Sequence, residues 1–163
     1  MSRGRILTAA AAVLALLSCL PGCSPAPTAL EGCVGERAVG ATSAQLAGTY
    51  RGEGDAEGVT LTLTASESKP GSGTVTVRGW PTGDWHRGEL GETFDGSGTW
   101  SVVQGGTAAT EFARLSLSFT APKRFLEGDT LDSLSIAEGD GRTHLYAEGD
   151  PDVCPAFRLR PQG

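Results

Sequence analysis

The feature that most narrows the fold is a two-residue hydrophobic period that recurs along the chain. In Val59-Thr60-Leu61-Thr62-Leu63-Thr64, Val59, Leu61 and Leu63 share one face. Thr74-Val75-Thr76-Val77-Arg78 keeps the pattern, and Gly98-Thr99-Trp100-Ser101-Val102 sets Trp100 beside Val102. Ala113-Arg114-Leu115-Ser116-Leu117-Ser118-Phe119 aligns Leu115, Leu117 and Phe119. Segments 48–51, 131–137, 143–148 and 156–160 bring the total to about eight short strands. Successive side chains of a strand point to opposite faces, so this alternation buries one face and wets the other, the signature of an antiparallel sheet. No segment keeps a convincing helical period, although a weak helical turn is expected over 42–46.

The turns agree with the strands. Glu-Gly-Asp occurs four times, at 53–55, 127–129, 138–140 and 148–150. Glycine accepts positive φ and aspartate caps turns locally, so these triplets read as strand connections. Eight strands with short links predict an all-β, antiparallel up-and-down barrel or folded-over meander of the lipocalin-like kind. A two-sheet β-sandwich is the alternative.

Location is written at the N-terminus. Met1-Ser2-Arg3-Gly4-Arg5 is a basic start, and the apolar run over 6–17 is too short to span a bilayer as a helix, which needs about 20 residues. Leu20-Pro21-Gly22-Cys23 resembles the bacterial lipoprotein signal, in which the chain is cut before a cysteine that is then acylated. Leu16-Leu17-Ser18-Cys19 resembles it as well. Cysteine parity favours Cys23, because cutting there discards Cys19 and leaves the even pair Cys33 and Cys154 for a disulfide in an oxidising compartment. The organisation read from these features is a lipoprotein signal peptide over 1–22, an acylated N-terminus and flexible tether over 23–42, and a single β-barrel domain over 43–163. Plain secretion is the alternative to a lipid anchor on the outer face of the cell membrane.

In a closed meander the first and last strands are neighbours, so a Cys33–Cys154 bridge would fit a closed barrel. Of the 163 residues, 13 are Lys or Arg and 19 are Asp or Glu. Removing the leader takes two arginines and no acid, which leaves 11 basic against 19 acidic residues, a net −8. A surface of that sign does not seek nucleic-acid phosphates or anionic lipid head groups.

Leu46-Ala47-Gly48-Thr49-Tyr50-Arg51-Gly52, Gly96-Ser97-Gly98-Thr99-Trp100, and Tyr146 with Gly149-Asp150-Pro151-Asp152 and Phe157-Arg158 resemble small exported actinobacterial lipoproteins of unknown function. The resemblance implies a single lipocalin-like β-barrel domain behind an export leader and brings no catalytic assignment. Cys154, inserted between the last turn and Phe157, departs from that pattern.

Chemistry is sparse. The two histidines are His86, in Trp80-Pro81-Thr82-Gly83-Asp84-Trp85-His86-Arg87, and His144. No Gly-x-Ser-x-Gly frames a nucleophile, and the acidic turns lack the dense Asp spacing of a calcium loop. No cofactor, metal or catalytic set is therefore assigned. Trp80, Trp85 and His86 form a candidate contact loop, with capping of the barrel core as the other use of the tryptophans. The reading is a non-catalytic envelope interaction or structural module, meeting an envelope protein. The alternative is a lipocalin-like binder of an apolar or amphiphilic small molecule.

Overall fold

The computed structural model describes residues 28–107 and 111–163. The leader, Cys19 and Cys23 lie outside the described residues.

Among the described residues, nine antiparallel strands follow a short helix α1, Ala29–Val34. They are β1 (Glu36–Arg37), β2 (Gly48–Gly54), β3 (Thr60–Ala65), β4 (Ser72–Pro81), β5 (Thr93–Gly105), β6 (Phe112–Ala121), β7 (Ser133–Gly139), β8 (Arg142–Tyr146) and β9 (Phe157–Pro161). A second helix α2, Ser43–Leu46, precedes β2, and a third, α3, Arg87–Leu90, precedes β5. Strands β2 to β9 pair in chain order, β9 pairs back onto β2, and the ladder returns to β7 through β8. The result is a closed eight-stranded up-and-down barrel with β1 as an extra strand. The continuous ladder decides against the sandwich.

The alternation seen in the sequence is the inside–outside alternation of the barrel. Leu61 and Leu63 on β3, Val75 and Val77 on β4, Trp100 on β5 and Leu115, Leu117 and Phe119 on β6 are buried. Thr62, Thr76 and Ser97 are successive register partners on the outer face, as are Thr64, Thr74, Thr99 and Ser118. Threonine suits these positions because its branched Cβ favours extended backbone while its hydroxyl stays wet.

A barrel this narrow needs glycine on its inner face. A Cβ on Gly98 would run into the Ser118 carbonyl, and one on Gly73 would lie 2.7 Å from Nε1 of Trp100. The β7–β8 hairpin turns through Asp140 and Gly141, both at positive φ, as a two-residue type I′ turn requires.

A bulge changes the phase of β4. Register shifts between Val77 and Trp80, with Gly79 at φ 63° and its amide donating to Asp95 Oδ1 at 2.8 Å. Continued alternation from Val75 and Val77 would turn Trp80 outward. The extra residue turns it inward, opposite Phe94.

Both ends are closed by side chains. At the lower end, where β2 begins, Leu46 of α2 is buried and its carbonyl accepts the Tyr50 hydroxyl at 2.9 Å. Burial pushes the Tyr50 phenol up to about 12. At the upper end, where β4 finishes, Trp80, Phe94, Phe119, Phe125 and Phe157 pack as an aromatic cluster under the 122–132 connection.

The flexible tether read over 23–42 is corrected from Thr28 onward. Thr28 and Glu31 form a reciprocal capping box that starts α1, and Leu30 and Val34 of α1 pack on Ala137 and Tyr146 outside the barrel wall. Further along, Ala38 donates to the Ile136 carbonyl and accepts from the Ala113 amide, so β1 and its continuation fill the seam where β6 and β7 part. Cys33 is bonded to Cys154 with a Cα–Cα distance of 5.7 Å across 121 residues of chain. The bridge fastens α1 to the β8–β9 connection, and the barrel itself is closed by its strand ladders.

Non-reducing peptide mapping should find Cys33 linked to Cys154. The double variant Cys33→Ser/Cys154→Ser should lose about 2–5 kcal/mol in chemical denaturation, the usual cost of removing a long-range bridge, with an unchanged β-sheet circular dichroism spectrum.

Candidate functional site

The barrel interior is filled rather than hollow. Tyr50, Leu61, Leu63, Trp80, Leu115, Phe119, Leu134, Ile136, Leu145 and Leu159 are all essentially inaccessible to solvent. Grooves of about 450 to 700 Å³ on the surface of the described residues are open depressions.

The segment Trp80–Arg87 is divided by the structure. Trp80 has no exposed surface, and its Nε1 donates to the Leu131 carbonyl at 2.9 Å. It is a core residue, and its place in the candidate contact loop is withdrawn: the bulge at Gly79 sends the indole inward, where the 122–132 connection supplies the acceptor. Trp85 lies on a 3-10 turn, Asp84–His86, and is 88% exposed. Leu126, which lies outside the period-two runs of the sequence, is 71% exposed.

His86 joins the two loops that carry these side chains. Its Nε2 lies 3.3 Å from Asp129 Oδ2 and its ring meets Phe125 edge-on at 5.3 Å. Its Nδ1 lies 3.9 Å from Glu89 Oε2, and Glu89 in turn accepts from Lys123 Nζ at 2.6 Å. Asp129 also accepts from the Leu126 amide at 2.8 Å. The hydrogen bond and charge of Lys123 hold the Glu89 carboxyl below its ordinary value. The Leu126 amide, then His86, do the same for Asp129. The histidine thus works as a clasp that seats 84–90 on 122–132 and leaves Trp85 and Leu126 facing outward beside it.

No described serine hydroxyl bonds to either histidine. His144 is half-buried opposite Ala137 on β8. Among the described residues no three His, Cys, Asp or Glu side chains converge as metal ligands would. Leu126 left no trace in the hydrophobic period because it sits in a turn. Its neighbours Glu127-Gly128-Asp129 marked the turn but not what the turn displays. The chain matches no protein-family model, no curated protein and no solved structure.

Two measurements check this description. Thermal melts should show Trp80→Ala losing about 3–5 kcal/mol, the range for deleting a buried aromatic. Trp85→Ala should stay within about 0.5 kcal/mol of the parent, as exposed substitutions do.

The clasp also has a pH signature. Carboxyls whose folded pKa is lowered contribute stability above their unfolded values and lose it as pH falls through the folded ones. Stability should therefore drop below the ordinary carboxylate range of about 4. Glu89→Gln and Asp129→Asn should each flatten that acid limb in denaturation curves recorded across pH.

Proposed function

We propose that this chain is a lipid-anchored extracytoplasmic protein that acts without catalysis, as an interaction or structural module of the cell envelope. The observation that carries the reading is the filled interior. A lipocalin-like binder of small apolar molecules needs an empty calyx, and here Trp80, Trp100, Phe119 and Tyr50 occupy that volume with both ends plugged. What remains for function is the outer surface, where a rigid barrel presents its loops. The use of His86 supports the same view, since its imidazole is spent on tying two loops together.

The compartment is supported by two independent features. The Cys33–Cys154 bridge suits an oxidising environment. The Leu20-Pro21-Gly22-Cys23 motif supports cleavage before Cys23 and acylation there. Two or more acyl chains anchor a protein stably where one does not.

Native mass spectrometry of protein purified from its own envelope tests the reading. The expected species begins at an acylated Cys23 and carries no small molecule. Lipid mapped to Cys19, or a chain without lipid, would overturn the anchor assignment. A stoichiometric apolar compound released on denaturation would overturn the filled-barrel reading in favour of the small-molecule binder.

A further inference from the structure

The charge of this protein is concentrated at one end of the barrel. The four upper connections, 55–59, 82–92, 122–132 and 147–156, contain eleven Asp and Glu against Arg87, Lys123 and Arg124, a net −8. The rest of the chain from Thr28 onward holds eight acidic and eight basic residues and is neutral. The excess negative charge is therefore a property of the upper end alone. A one-sided field of this kind steers oppositely charged partners to the place it surrounds.

The same end carries exposed apolar side chains. Five large hydrophobic residues are exposed among those described, and three of them, Trp85, Leu126 and Val153, sit on upper connections. The clasp links the loops that carry Trp85 and Leu126, since His86 next to the first bonds Asp129, which also accepts the amide of the second. Tryptophan is enriched among residues that dominate binding energy. Local ion pairs, Arg87 with Asp84 and Glu92 and Lys123 with Glu89, fix the short segment around Trp85. The surface is thus preorganised, which lowers the entropic cost of docking.

We propose that the upper end of the barrel is a docking surface for a basic, amphipathic polypeptide segment, whose apolar side chains meet Trp85 and Leu126 while its Lys and Arg residues meet the acidic rim. The sign of the field selects this occupant. An anionic bilayer or a nucleic acid would be repelled, and so would the upper end of a second copy. The proposal rests on reading the chain as an interaction module and names the partner's chemistry and the place where it binds.

The test uses chain from Cys23 onward, without lipid, and a synthetic amphipathic Lys/Leu peptide, with a Glu/Leu peptide of equal length as control. Titration calorimetry should detect the Lys/Leu peptide only, with affinity falling as salt is raised. Emission from Trp85 should shift to the blue, Trp80 and Trp100 being buried already. Trp85→Ala should weaken binding about tenfold or more, the effect of removing a hot-spot tryptophan. Glu127→Lys/Asp152→Lys should weaken it strongly, whereas Glu67→Lys/Glu111→Lys, the same change of charge at the other end, should not. Absence of binding, equal losses in the two charge-reversed pairs, or an unaffected Trp85→Ala would overturn the proposal. So would a blue shift on phosphatidylglycerol vesicles alone, which would make the bilayer the occupant. Failure here leaves the acylation and the filled interior to be judged by mass, so the two readings fail separately.

Discussion

Closure of the strand ladder is the constraint on which the rest of the structure depends. β9 lies between β2 and β8 and pairs with both, so the last strand of the barrel seals its first. Closing removes the open edges that an antiparallel sheet would otherwise expose to other chains. It also sets the circumference. Eight strands enclose a space about wide enough for side chains alone. Every inward residue must then either fill the lumen, as Trp100 and Phe119 do, or step aside for one that does, as Gly73 does beside Trp100. The same geometry that stabilises the fold packs the lumen with side chains such as Trp80, Trp100 and Phe119.

The two ends are built differently. The lower end is stopped by one turn of helix, with Leu46 over the lumen and Ser43 Oγ accepting the Gly71 amide at 2.6 Å. The upper end is stopped by aromatic rings, and its long connections cross over them. Thr82 bridges to Thr130 and Trp80 bonds Leu131, so the 82–92 and 122–132 connections are one unit before His86 clasps them. The packed connections thus carry the exposed side chains of Trp85 and Leu126 at their tips. The N-terminal segment adds a second, smaller core outside the wall, and Arg37 ties it down through the Tyr146 hydroxyl at 3.2 Å and Glu148 at 3.5 Å.

Where local rules and tertiary context agreed, the chain was legible. All eight strands of the barrel were visible as period-two runs, and α2 was visible as a turn over 42–46, because burial on one face of a sheet imposes a period on the sequence itself. The Thr28–Glu31 capping box was equally present in the sequence. The Pro-rich composition of 24–29 drew the boundary of the tether past it to residue 42. The parity of the cysteines pointed to the correct pair but not to its role, since a bridge between Cys33 and Cys154 says nothing of which elements they occupy.

The sequence by itself determined about eight antiparallel strands, their inward and outward faces, and the acidic balance, because each of these is a local pattern or a sum, whereas closure into a barrel rather than a sandwich came from the ladder. Only the tertiary structure decided which tryptophan is core and which is surface. Trp80 and Trp85 stand five residues apart in one segment, and the difference between them is made by a one-residue bulge at Gly79 and a carbonyl 51 residues away. The same holds for the charge. A net −8 is a count, but its gathering at one end, beside Trp85 and Leu126, follows from closure, which brings four connections distant in sequence to the same rim.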